Sequence, residues 1–180
     1  APSAGSRAAK TLSPAVAAGR ASSGVVAVSD EVVAAAERGE EEAVLAWLEG
    51  GGRADATYER GGVSGLTLLM GAANNGHERV VELLMRHGAE INQQDSNGLT
   101  ALMTAAGNGH ERVVDLLLQR GADVNLQDSD GDTALMDAAN NGHERVVELL
   151  LQHGAEINLQ SSNGYTALMA AAHKGHERVV

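Results

Sequence analysis

Four histidines stand 33 residues apart, at His77, His110, His143 and His176, and such a ladder raises the question of a metal site. Equivalent positions on stacked helices lie about 8–10 Å apart. Two ligands of one zinc ion, each about 2 Å from it, lie within about 4 Å of each other. These four histidines cannot share an ion. Each is expected instead at a turn between helices, bonded to neighbouring backbone. His77-Glu78-Arg79-Val80-Val81 begins like the zinc-protease pattern His-Glu-x-x-His, but Val81 stands where the second histidine belongs. His173 and His176 flank a Lys-Gly turn and offer at most an adventitious metal contact.

Carboxylates are plentiful, but an acid–base pair needs a sheltered cleft that perturbs one of them. Glu78, Glu82, Glu144 and Glu148 fall on a polar helical face, where solvation is the rule, and Glu82 with Arg86 has the i,i+4 spacing of a surface ion pair. Gly50-Gly51-Gly52 and Gly61-Gly62 are loop glycines without the Gly-Lys-Ser/Thr that makes a phosphate loop. No catalytic residue, metal ligand or cofactor is expected, and the chain is not expected to be an enzyme.

The histidine spacing is one trace of a repeat that covers most of the chain. Gly65-Leu66-Thr67 recurs as Gly98-Leu99-Thr100, Gly131-Asp132-Thr133 and Gly164-Tyr165-Thr166, and residues 98–130 share 24 of 33 positions with 131–163. Fixed-period self-similarity of this length is the signature of a solenoid, in which each unit buries its apolar side against the next. Within a unit, Thr100 is a helix N-cap before Ala101–Ala106, and Asn108-Gly109 supplies a turn. A second helix runs over Glu111–Leu118, with Val113, Val114, Leu116 and Leu117 as its apolar stripe and Gly121 as its stop. Asp95 and Asp128 open the following turns as acceptors for backbone N–H groups, and Ser161, which replaces them, is expected to hold more weakly.

The run Gly-x-Thr-x-Leu-x-x-Ala-Ala-x-x-Gly-His-x-x-Val-Val-x-Leu-Leu-Leu-x-x-Gly-Ala-Asp-Val-Asn, fullest at 98–125, resembles the ankyrin repeat. The resemblance covers residues 65–180. It departs at Thr100-Ala101-Leu102-Met103 and its equivalents, where the family's Thr-Pro-Leu-His is replaced and a flexible Met fills the space of the His. It implies an all-α solenoid of stacked helix–turn–helix repeats with hairpin-like turns: repeats at 65–97, 98–130 and 131–163, and a truncated one at 164–180. Residues 30–64 read as a degenerate capping repeat whose acidic face keeps one end wet. Its connection to the next unit, Asp55 to Gly65, is four residues longer than the matching segment and is expected to protrude. The fifth unit stops at Val180 within its second helix, and the chain lacks an initiating Met, which together suggest a fragment of a longer protein.

Charge divides the chain. Residues 1–29 carry Arg7, Lys10 and Arg20 and no acid, and the remainder holds 10 basic and 24 acidic residues, −14. The first segment reads as a disordered tail, although Arg and Ser without acid also resemble an organellar transit segment. An acidic body repels phosphate backbones, so no nucleic-acid partner is expected. No apolar run approaches the roughly 20 residues of a membrane span. A cytoplasmic monomer without disulfides is the expectation, cysteine being absent.

The resemblance also implies the role: a non-catalytic adaptor or scaffold that grips a partner protein on its concave face, or else the recognition arm of a larger enzyme or regulator. In ankyrin proteins the turn tips and first helices line that face. The repeats differ there at position 2 (Leu66, Leu99, Asp132, Tyr165), at position 7 (Gly71, Thr104, Asp137, Ala170) and at positions 10 and 11, which include Asn140 and Asn141. With Asp130, these make a groove running from apolar through acidic to aromatic, and a basic partner residue is expected opposite Asp132 and Asp137. Asn92, Asn125 and Asn158 stand where some ankyrin proteins are hydroxylated.

Overall fold

The computed structural model describes residues 28–179; the tail proposed at 1–29 lies almost wholly outside them. Five helix pairs or parts of pairs follow one another. They are α1 (Asp30–Arg38) with α2 (Glu41–Glu49), α3 (Leu68–Asn74) with α4 (Glu78–Arg86), α5 (Ala101–Gly107) with α6 (Glu111–Gln119), α7 (Ala134–Asn141) with α8 (Glu144–Gln152), and α9 (Ala167–Lys174). Residues 177–179 form a turn rather than the start of a second helix. Each first helix packs against the first helix of the next pair, and the second helices stack behind them.

The local causes repeat every 33 residues. Thr67, Thr100, Thr133 and Thr166 adopt extended backbone, and their hydroxyls accept the N–H three residues on, at 3.1, 3.2, 3.3 and 3.4 Å. This satisfies a donor that the first helical turn leaves open. Between caps the first helices bury nearly everything: Leu102, Met103, Ala105 and Ala106 in α5, and Leu135, Met136, Ala138 and Ala139 in α7. The methionines that replace the family's histidine thus sit in the core. Pairs of alanines let neighbouring first helices approach closely, which is how a chain without Phe fills its interior.

In α6 the burial phase is shifted from the expected stripe. Val113, Val114, Leu117 and Leu118 are buried in α6, whereas Leu116 is only partly covered. In α4 the expected stripe holds: Val80, Val81, Leu83 and Leu84 are buried, and Met85, the equivalent of Leu118, is only partly covered.

The long connection after α2 is not an open loop. Thr57–Arg60 and Val63–Thr67 form antiparallel strands β1 and β2, with Thr57 opposite Thr67, Tyr58 opposite Leu66 and Arg60 opposite Val63. Gly61 and Gly62, at φ 61° and 83°, make the two-residue turn. Both positions need positive φ for a twist that matches the strands.

The far end of the stack is bare. Leu168 and Met169 of α9 are 48% and 51% exposed, while their equivalents Leu135 and Met136 are 3% and 5% exposed. Among the described residues nothing stacks on that face, and no helix is long and apolar enough to cross a membrane.

Candidate functional site

The histidine ladder is a set of joints between repeats. The ring Nε2 of His77 donates to the Glu37 carbonyl at 2.8 Å, that of His110 to Asn74 at 2.9 Å, that of His143 to Gly107 at 2.9 Å and that of His176 to Asn140 at 3.1 Å. In each case the acceptor belongs to the preceding pair. The carbonyl lies near the end of a first helix, among the groups that have no partner within the helix. The same ring faces the turn glycine of that pair: a Cβ on Gly109 would stand 2.6 Å from His143 Nδ1. Among the described residues no three His, Cys, Asp or Glu side chains gather as a metal site would require.

The turn tips are tied in a second ladder. Ser96 N–H donates to the Ser64 carbonyl at 2.8 Å, Ser129 to Asn97 at 2.9 Å and Ser162 to Asp130 at 2.8 Å. Asp95 Oδ1 accepts the N–H of Asn97 and of Leu99 at 2.8 and 2.9 Å, and Asp128 Oδ1 accepts those of Asp130 and Asp132 at 2.9 and 2.8 Å. At Ser161 a single 3.2 Å bond to Tyr165 N–H remains, so the weaker hold expected for serine is present. Asn92 and Asn125 have structural employment: their Oδ1 atoms accept the N–H of Asp123 and Glu156 in the next repeat, at 2.9 and 2.8 Å.

Leu66 is in β2 and Leu99 at the next tip, both half-buried against the core. Thr104 lies on α5 and returns its hydroxyl to the Ala101 carbonyl at 3.0 Å. Asp130 is exposed, Asp132 half-buried, and Tyr165 is 48% exposed at the last tip. Asp137, Asn140 and Asn141 lie on α7, and Asn141 donates its amide to the Gly107 carbonyl at 3.0 Å.

Asp137 is the unusual group. Burial pushes its carboxyl up to about 7, helped by the negative charges of Asp132 and Asp128. Asp132 is also raised, by burial first and then by Asp128 and Asp130. Among the described residues no ion pair involves either one. The consequence for stability has a definite sign. A carboxyl with its ordinary value near 3.8 in the unfolded chain and about 7 in the folded one keeps its proton longer when folded. The folded state is therefore favoured most at and below about pH 4, and that advantage is lost as pH rises to about 7. A carbon-detected titration of the Asp137 carboxyl should show a midpoint near 7, and Asp137→Asn should flatten the decline of stability over that window. A midpoint below 5 would contradict the burial of this group.

Sequence reasoning passed over a second cluster. Arg60 forms an ion pair with Glu37 at 2.5 Å, and its guanidinium lies 5.9 Å from the centre of the Tyr58 ring. Tyr58 in turn covers α3: a Cβ on Gly71 would meet the Tyr58 hydroxyl at 3.5 Å and Glu37 Cγ at 3.4 Å. The long hairpin thus lies across the first helices of the first two pairs.

The chain belongs to the ankyrin-repeat family: the family described as ankyrin repeats (3 copies) matches residues 32–128 and 117–180. Stacked helix pairs, glycine turns and tied tips are the expression of that pattern in this sequence. Ankyrin repeats are protein–protein interaction modules, typically without catalytic activity. Comparison with curated proteins finds no match.

Proposed function

We propose that this chain binds a partner protein through the face formed by its first helices and turn tips, with Leu99, Thr104, Asp130, Asp132, Asp137, Asn140, Asn141 and Tyr165 in contact and Leu66 at the margin. The observation that supports this reading is the pair Asp132 and Asp137: two carboxyls raised first by burial and then by neighbouring acids, Asp128 and Asp130 for the one and Asp132 and Asp128 for the other, without a cation among the described residues. Structural acids normally find a partner, and an uncompensated pair on a surface that varies between repeats suits a ligand that brings the missing charge. A basic side chain of the partner is assigned that place.

The test is a double charge reversal, Asp132→Lys with Asp137→Lys, in the immobilised chain. Partner capture from a cell extract is expected to fall at least tenfold, the equivalent of about 1.4 kcal/mol, with helical circular dichroism retained. Unchanged capture by a folded double variant would refute the assignment.

A further inference from the structure

The chain contains an occupant of its own groove, and that occupant indicates what the open part of the groove accepts. Aligning the units on the turn glycine before each second helix, Gly39 with Gly76, Glu37 holds position 10 of the first unit and Gly71 position 7 of the second. These two positions are neighbours across the stack, since a Gly71 Cβ would lie 3.4 Å from Glu37 Cγ. The hairpin brings the Tyr58 hydroxyl to the glycine, 3.5 Å from where a Gly71 Cβ would stand, and Arg60 to the carboxylate, two residues apart on one strand. The strand pairing is irregular between them, yet both groups reach the same side, the Arg60 guanidinium lying 5.9 Å from the Tyr58 ring centre, so one segment delivers both.

The same two positions meet again where the third and fourth units join. There position 10 is Gly107 and position 7 is Asp137, and a Gly107 Cβ would stand 3.6 Å from Asp137 Cβ. Glycine and carboxylate recur with their places exchanged. Between them, at Asn74 and Thr104, neither is present, and at Asn140 and Ala170 neither is present. The connection preceding the fourth unit is four residues shorter than the one bearing the hairpin, and among the described residues no strand crosses Gly107. Among the described residues no ion pair involves Asp137.

We infer that the junction of the third and fourth repeats binds an extended partner segment carrying a tyrosine and an arginine two positions away, phenol hydroxyl end at Gly107 and guanidinium on Asp137. The inference rests on the partner-binding reading above and specifies the chemistry of the ligand. A glycine leaves room for the tip of a phenol to come up against the helix, as the Tyr58 hydroxyl does at Gly71. Arginine suits the site better than lysine because its planar fork meets a carboxylate through two N–H groups and stacks on an aromatic face, as Arg60 lies beside Tyr58.

The probe is a disulfide-closed peptide carrying residues 55–65 of this chain, titrated into the isotopically labelled full chain. Saturable shifts are expected at the amides of Gly107, Asp137 and Asn141. Affinity should fall at least tenfold with Asp137→Asn in the protein, and likewise with alanine in place of the peptide tyrosine. No shifts at millimolar peptide, shifts confined to Gly71 and Glu37, or shifts that survive Asp137→Asn would each overturn the inference. Failure here with partner capture still lost on double charge reversal would discard the ligand chemistry alone and leave the binding face standing.

Discussion

Replacing Leu117 by alanine is expected to cost about 2–5 kcal/mol in urea unfolding. Leu117 is fully buried, as are its equivalents Leu84 and Leu150. It faces the groove between its own first helix and the neighbouring pairs. In a solenoid each pair contacts only its neighbours, so the loss is concentrated there. Amide exchange should therefore accelerate first in α6 and in the helices packed against it, α4, α5 and α8. Leu116→Ala, on the same helix but only partly covered, should cost clearly less. Equal losses from the two substitutions would mean that the helix is rotated from the phase described.

Gly98→Ala carries the second large effect, and for two separable reasons. Gly98 has φ 80°, a region where a side chain costs about 1–3 kcal/mol. Its Cβ would also stand 2.8 Å from Asp128 Cα and from Ser129 N, atoms of backbone that cannot swing aside. Relief requires the next tip to move off, which endangers the 2.9 Å bond from Ser129 N–H to the Asn97 carbonyl, worth about 0.5–1.5 kcal/mol. A combined loss of about 2–4 kcal/mol follows. Gly121→Ala is the matched control: its φ is 89°, but nothing lies within 4 Å of the added Cβ. The difference between the two variants measures the tip contact alone, and identical unfolding midpoints would show that the tips are not held as described.

Much of this architecture is legible in the residues because its causes are local. A threonine cap, a glycine at a left-handed turn and a 33-residue recurrence each announce themselves within a few positions. The histidines are legible by exclusion, since stacking distances forbid a shared metal and leave backbone as the partner. Less accessible are features that depend on one unit meeting the next. Leu118 is more deeply buried than Leu116 in α6, whereas Leu83 is buried at the matching place in α4, a difference that the shared periodicity of the two helices does not display. Gly61-Gly62 is a strong hairpin signal between Tyr58 and Val63, yet read as loop glycines it conceals the two strands. Glu37, Arg60 and Asp137 gain their roles from contacts across units that spacing alone does not display. The raised Asp137 carboxyl needs burial and two neighbouring charges, and only the folded chain supplies them.

The two sides of the stack are fastened differently. The first helices and tips are joined by alanine packing, histidine-to-carbonyl bonds and the tip ladder, whereas the second helices add exposed ion pairs such as Arg112 with Glu78 at 3.5 Å and Arg120 with Glu82 at 3.4 Å. Exposed pairs are screened and contribute little. Under load the array should behave like a leaf spring with one stiff leaf: it flexes by opening the back, while the spacing between successive tips is kept. A surface that reads its ligand at fixed intervals would then hold its gauge even as the body bends.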